Sequence, residues 1–458
     1  MGKKIIEKII GIPALTLEKT FKTSEALAKN LGGQKPVQKA KQFWHMLGPG
    51  LTTGAADDDP SGIATYSQTG SKYGFNLLWL AAFTFPLMAI VQEMCARIGM
   101  VTGRGLAANI RRHFPKKILY LCTALLFFAN TFNIGADLGA MAKATQLLLP
   151  TLNFTALVIF FTIVSLALQI FLTYGQYAKY LKWLALILLS YVFSMLLINL
   201  DVHQLLRHAL IPALQFSKDQ IFLICGILGT TISPYLFFWQ TSQEVEEEIL
   251  EGKTTIKQRQ LADKNEIKKM RTDIWVGMFL SNLVMFCIIA TCGAVLFTNG
   301  ITDIQTAAQA ANALRPLAGE YAYLLFAIGI IGVGMLAVPI LAGGVSYALS
   351  EALGFKQGLY RKLNQARAFY GVIIISMLIG LTLNFTNLDP IKILIYAAVI
   401  NGLVAPIILV LIVKISSDKK IMGPWANRPV ISGLGWLTTA LMILVGSATI
   451  ASIMFKVF

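Results

Sequence analysis

The sequence predicts an all-α polytopic membrane protein of about eleven transmembrane helices, an inverted repeat of five plus five helices with helices one and six broken. Three observations carry this. Of 458 residues, 56% are hydrophobic and 14% charged, with a mean hydropathy of +0.65; soluble domains carry about 25% charged residues. Eleven apolar runs are long enough to cross a bilayer, which takes about 20 residues each. Two of those runs, five apart, are interrupted by small, polar and proline residues.

The runs fall at 47–70, 75–96, 118–141, 154–173 and 182–200, then at 220–240, 274–297, 320–350, 368–387, 391–413 and 431–454. The eighth is overlong, and Gly329, Gly332, Gly334, Pro339, Gly343 and Gly344 predict that it tilts, kinks or ends early. The basic residues test the count. With the N-terminus cytoplasmic, all but seven of the 39 Lys and Arg fall on inside segments; the seven are Lys72, Lys143, Arg207, Lys218, Arg315, Lys392 and Lys456. Such an excess is the positive-inside rule. The net charge of +16 therefore reflects topology and the anionic inner leaflet, and no nucleic-acid partner is expected. The same bias puts the C-terminus outside; the expected location is a bacterial cytoplasmic membrane, with the lipid bilayer as the chain's surroundings. Oligomeric state is not legible.

These expectations divide the chain into a cytoplasmic extension (1–46), a first five-helix repeat (47–200), an extracellular loop (201–219), a second repeat (220–413) and an additional eleventh helix (414–458). The extension lacks a signal peptide's continuous apolar core and cleavage site; Ile5–Ile12 is a short amphipathic stretch. The five cysteines, Cys95, Cys122, Cys225, Cys287 and Cys292, lie in or beside apolar runs. Their spacing suggests neither a disulfide framework nor a zinc site, so they are read as small packing residues. The loop 241–273 opens with Glu244, Glu246, Glu247 and Glu248. It reads as a solvated helix extension, or more sharply as an acidic vestibule that gathers cations.

Chemistry concentrates at the first break, Gly54-Ala55-Ala56-Asp57-Asp58-Asp59-Pro60-Ser61-Gly62. Each Asp at bilayer depth costs roughly 2.5–3.5 kcal/mol on insertion scales, and proline removes a backbone donor. Unpaired backbone at that depth is tolerated only inside protein or against a water-filled cavity. A broken helix carrying anions there reads as a cation site. The sixth run holds the second break, Gly229-Thr230-Thr231-Ile232-Ser233-Pro234-Tyr235. Interrupted segments at matching positions in two halves point to a transporter binding site. Asp59 borders the first break and is the leading ligand. Asp57 and Asp58 would point about 100–200° away on a helix and are read as water-binding groups in an access path.

Here the motifs resemble a known family. Gly48-Pro49-Gly50 followed by Asp59-Pro60-Ser61-Gly62 resembles the first-helix signature of the natural resistance-associated macrophage protein (Nramp) superfamily of divalent-metal transporters. Gln92-Glu93-Met94-Cys95-Ala96-Arg97-Ile98-Gly99-Met100-Val101-Thr102-Gly103 resembles its second helix, and the 229–235 segment aligns with its sixth. The resemblance spans essentially all the runs and implies the inverted-repeat fold and alternating access.

The departures narrow the cargo. The superfamily's first-helix motif is Asp-Pro-Gly-Asn; here the Asp is Asp59 and the Asn position is Gly62. Its sixth-helix Met-Pro-His stands as Ser233, Pro234 and Tyr235. The third-helix acids of proton-coupled members fall on Asn133 and Ala136, with Asp137 one position away. A soft thioether favours transition metals, so its replacement by Ser233 removes that preference. Mg²⁺ keeps several waters and takes one or two carboxylates, which suits an all-oxygen site. The pattern resembles the Nramp-related magnesium transporter branch, and the resemblance implies Mg²⁺ and Mn²⁺ transport without proton coupling.

Carried residue by residue, it implies a metal site of Asp59, the carbonyls of Ala56 and Thr230, Gly62 and Ser233, with Tyr235, Asn401 and Asp58 as candidate lining. A tyrosine hydroxyl, reference pKa about 10, packs or hydrogen-bonds at position 235 rather than carrying protons. Asn401 either faces the site or bonds another helix. Glu93 and Arg97 read as a structural pair. The metal ion is cargo, and no resident cofactor is expected. The alternatives are a proton-coupled Mn²⁺ or Fe²⁺ importer using Asp57, Asp58 or Asp137, and, lower, a cation-coupled amino-acid transporter. No nucleophile–base pair or phosphate loop supports an enzyme.

Overall fold

The computed structural model describes residues 43–198, 200–215, 217–302, 304, 306–386 and 390–454. The chain divides into Met1–Gly48, where residues 43–46 form one helical turn, and Pro49–Phe458. The amphipathic stretch expected at Ile5–Ile12 lies outside the described residues.

The first half comprises α1 (Pro49–Asp57), α2 (Pro60–Tyr73), α3 (Trp79–Thr102), α4 (Leu106–His113), α5 (Lys116–Leu148) and α6 (Phe154–Phe171). It ends with α7 (Tyr174–Leu184), a 3₁₀ turn, α8 (Leu189–Leu196) and α9 (Val202–Leu210). The second comprises α10 (Lys218–Thr231), α11 (Pro234–Leu250), α12 (Ile256–Arg259), α13 (Lys264–Val295), α14 (Ala307–Leu353), α15 (Arg367–Leu383), α16 (Pro390–Ser417), α17 (Lys419–Met422) and α18 (Pro429–Met454). Among the described residues there is no strand. Among the described residues nine helices or helix pairs are long and apolar enough to cross a membrane, and α15 is a shorter apolar helix. The α1–α2 pair supplies the eleventh run.

The two breaks have one local cause. Asp58 and Asp59 separate α1 from α2; Ile232 and Ser233 separate α10 from α11. In both cases the second helix starts on a proline. Proline suits the first helical position because its missing N–H would have no partner there and its φ is already helical. The second break lies five runs after the first, an odd number, so the two broken helices cross in opposite senses.

The broken first helix is enclosed by protein. All of Gly50–Asp57 is buried, as is Pro60–Ser67. α13 packs along α1, α2 and α3, α10 packs on α16, and α5 packs on α14. The α1–α13 contact is backbone to backbone. A Cβ added to Gly54 would lie 2.2 Å from the Gly277 carbonyl oxygen, and one added to Gly277 would lie 2.1 Å from that of Gly50. Small residues permit this approach, as is common between membrane helices.

Two expectations change, and one loop is found to carry a helix. α14 does not kink or end at its glycine-rich centre; its one non-helical residue is Gly319 (φ 88°). The central glycines receive side chains instead: Gly329 that of Tyr191, Gly332 that of Ile187 and Gly343 that of Trp239. The stretch 201–219 carries a helix, α9, capped by Asp201 on the amides of His203 and Gln204. The glutamates at the end of α11 are not a solvated extension, since Glu244, Glu246 and Glu248 are buried. Glu246 accepts hydrogen bonds from the Tyr347 hydroxyl and the Leu359 amide, and Glu247 one from the Tyr174 hydroxyl. Hydrogen bonding commits Glu246 and Glu247 to contacts with other segments and Glu244 to Gln240 of its own helix.

Candidate functional site

At the first break Asp59 is the N-cap of α2. Its Oδ1 accepts hydrogen bonds from the Gly62 amide (2.7 Å) and the Ser61 hydroxyl (2.6 Å). Aspartate is among the strongest N-caps because it satisfies amides that have no intrahelical partner. Both bonds use Oδ1, so neither engages Oδ2. Its neighbours are fully buried: Asp57 Oδ2 accepts from the Ser281 hydroxyl of α13 (2.9 Å), while Asp57 Oδ1 and both Asp58 oxygens are buried without a partner. The two residues read as water-binding groups in an access path thus sit inside protein.

The second break mirrors the first with a different chemistry. Ser233, at the N-cap of α11, makes no forward cap. Its hydroxyl turns back toward the carbonyls of Gly229 (2.7 Å) and Thr230 (2.5 Å) at the end of α10. Tyr235 donates to the Ala56 carbonyl across the site (2.8 Å), and the hydroxyls of Tyr66 and Thr230 meet at 3.2 Å. The structure therefore brings Ala56, Asp59, Gly62, Thr230, Ser233 and Tyr235 together. It also places a hydroxyl on each carbonyl expected to bind metal. A carbonyl oxygen has two lone pairs, so each retains acceptor capacity.

Gly62 borders this arrangement closely. A Cβ there would lie 3.3 Å from the Asp57 carbonyl and 3.4 Å from Asp59 Oδ1. Asn401 lies beside Gly402, where α16 meets Cys225 and Gly229 of α10; its side chain is buried with Oδ1 unpartnered. Asp137 and Asn133, one turn apart on α5, are buried, and the polar side-chain atoms of both lack partners. Among the described residues no three His, Cys, Asp or Glu side chains converge on a metal-binding point. At the paired breaks the chain presents the Asp59 carboxylate together with backbone carbonyls and hydroxyls.

The ends of α1 and α10 face the site with their carbonyls. The partial negative charge of a helix C-terminus favours a cation, and unwound carbonyls bind the ions in broken-helix transporters. The N-terminus of α2 would oppose a cation, and Asp59 caps that end.

Several contributors were not legible. Asp273 of α13 accepts the amides of Gly50 (2.7 Å) and Leu51 (3.1 Å), capping the start of α1. Ser281 and Tyr66 likewise act on residues far away in the chain. Glu93 does lie near Arg97 (3.7 Å), but it is closer to Arg271 (2.8 Å) and to the Trp275 indole (3.0 Å). All five cysteines are buried free thiols.

An all-helical membrane chain with two opposed, proline-started breaks and a carboxylate between them defines an inverted-repeat membrane transporter, not an enzyme. Residues 50–452 match the profile of the family described as "Natural resistance-associated macrophage protein-like". The chain belongs to that Nramp family. It is 26% identical to the divalent metal cation transporter MntH of Aeromonas hydrophila subsp. hydrophila, over 89% of this chain and 95% of the relative. It is 26% identical to that of Caldanaerobacter subterraneus subsp. tengcongensis, over 88% and 92%. Its fold is similar to the crystal structure of the Eremococcus coleocola manganese transporter (TM-score 0.67, 18% identity, covering 90% and 88%). It is also similar to Mhp1, a nucleobase-cation-symport-1 family transporter (TM-score 0.57, 13% identity, covering 88% and 90%).

Proposed function

We propose that the chain carries divalent metal ions by alternating access, with partly hydrated Mg²⁺ the main cargo, Mn²⁺ also accepted, and no coupled proton flux. The curated relatives are named divalent metal cation transporters, which supports the cargo class. The observation that carries the choice of ion is the donor set at the paired breaks. Asp59, the Ala56 and Thr230 carbonyls and the Ser233 and Tyr235 hydroxyls offer oxygen only. Oxygen donors suit Mg²⁺ and Mn²⁺, whereas thioether or imidazole would favour softer ions. The ion would sit at the Asp59 carboxylate between the C-terminal ends of α1 and α10, keeping water where the protein supplies no atom. The N-terminus is proposed to be cytoplasmic and the C-terminus outside, on the distribution of Lys and Arg.

A second reading is the proton-coupled Mn²⁺ or Fe²⁺ importer. Asp137 favours it: buried on α5 with both oxygens unpartnered, it is an available acid near the break. Competition decides the ion. In uptake assays Mg²⁺ should compete effectively with Mn²⁺, and Cd²⁺ should compete poorly. Strong Cd²⁺ preference would overturn the oxygen-donor reading.

A further inference from the structure

A cavity of about 230 Å³ lies between the loop after α3, the last turns of α11 and the segment after α14. By the charge distribution this is the cytoplasmic end. Four cations line it, Arg104, Arg259, Lys356 and Arg361, against two carboxylates, Glu246 and Glu351.

Both carboxylates are occupied by the protein's own donors. Glu351 accepts the Ala108 amide (2.9 Å) and the Gln357 side-chain amide (3.0 Å). Glu246 accepts the amides of Leu359 (2.8 Å) and Tyr360 (3.0 Å) and the Tyr347 hydroxyl (2.6 Å). The cations are balanced less closely: Glu351, Glu246 and Glu248 act on Arg104, Arg361 and Arg259, but among the described residues none of the four lining cations forms a close ion pair. Arg259 donates to the carbonyls of Gly103, Lys253 and Thr254, which fix its position, and it balances Glu248 only from a distance. Arg361 donates to the Gln357 carbonyl and lies over the Tyr360 ring. Among the described residues, neither Arg104 nor Lys356 forms an ion pair, and Arg104 Nε is buried without a partner. Burial and the neighbouring Arg112 and Arg259 push the Arg104 guanidinium below its ordinary range, against a smaller pull from Glu351.

A pocket that fixes cations and ties up its carboxylates is built for an anion. We propose that it binds a phosphate-bearing anion, either a free polyphosphate or the headgroup of an anionic phospholipid. Guanidinium forks match phosphate oxygens in pairs, and a lysine adds a point charge. The inner leaflet is rich in such headgroups. The cavity walls come from α11, the second half of a broken helix, and from loops of both halves, so a bound anion ties these parts together.

The test uses the full chain. Purified in phospholipid-free detergent, it is titrated with sodium pyrophosphate in the presence of EDTA, following the melting temperature and heat of binding. In parallel it is placed in nanodiscs of phosphatidylglycerol or phosphatidylcholine. The expected result is a saturable stabilisation by pyrophosphate, or by phosphatidylglycerol over phosphatidylcholine. It should weaken about tenfold or more in Arg104→Gln and in Lys356→Gln, as for loss of a charged hydrogen bond. Lys356 is exposed, so its loss cannot act by unfolding the chain, and Lys356→Arg should retain the response. A pyrophosphate response assigns a free anion; a response to phosphatidylglycerol alone assigns a headgroup. No response to either probe, or one that neither variant weakens, overturns the proposal.

Discussion

Replacing Asp59 with asparagine and, in parallel, with alanine separates the two jobs of this carboxylate. The first job is structural: Oδ1 caps α2 through the Gly62 amide at 2.7 Å and the Ser61 hydroxyl at 2.6 Å. Asparagine ranks with aspartate as an N-cap, whereas alanine costs about 0.5–2 kcal/mol. Alanine also strands a buried amide, at about 1–3 kcal/mol. These terms overlap, giving a loss of about 2 kcal/mol in Asp59→Ala and near zero in Asp59→Asn. The second job is to hold a divalent cation. A unit charge about 4 Å from a divalent ion, at an effective dielectric of about 20, interacts with about 8 kcal/mol. Desolvation offsets most of that, and a net of about 3 kcal/mol is still roughly a hundredfold in affinity. Thermal unfolding of the purified variants and metal uptake into proteoliposomes read the two jobs separately. Both variants should lose uptake at least a hundredfold at low metal, and only Asp59→Ala should melt earlier. Near-normal uptake by Asp59→Asn would refute the site, and equal melting of the two variants would refute the cap.

Tyr235→Phe removes the bond to the Ala56 carbonyl, worth about 1 kcal/mol; uptake should persist with a shifted half-saturation concentration. Its abolition in a folded variant would show that the hydroxyl has an essential role. Gly54→Ala drives a methyl to 2.2 Å from the Gly277 carbonyl oxygen, which should cost about 1–3 kcal/mol or more as α1 and α13 separate. An unchanged melting temperature would contradict that backbone contact. Asp273→Ala uncaps α1 at two buried amides and should destabilise by about 2–3 kcal/mol, with Asp273→Asn recovering part. Equal stability of both Asp273 variants with the parent would remove the cap from the account.

What the sequence reveals of this site follows from how local each signal is. The breaks were legible because proline, glycine and consecutive carboxylates contradict a membrane helix within a few residues of one another. The same stretch marks Asp59 as a carboxylate at the break, whereas its capping of α2 emerges only in the structure. Asp273, Ser281 and Tyr66 were not legible, because each acts on a residue on another helix and nothing in their own neighbourhoods marks them. Glu244–Glu248 misled for a related reason. A run of carboxylates looks solvated until Tyr174, Tyr347 and the 359–360 amides arrive from elsewhere to donate hydrogen bonds to Glu246 and Glu247. The glycines of α14 look like hinges in sequence, yet they are seats for Tyr191, Ile187 and Trp239; only packing separates those two uses.

The central claim is an uncoupled carrier of hydrated Mg²⁺, and proteoliposome uptake with a metal dye and a pH dye inside tests it most directly. The account predicts Mg²⁺ entry without internal acidification, competed by Mn²⁺ and not by Ca²⁺. Entry of Mn²⁺ alone, accompanied by acidification that Asp137→Asn abolishes, would contradict it and place the proton on α5.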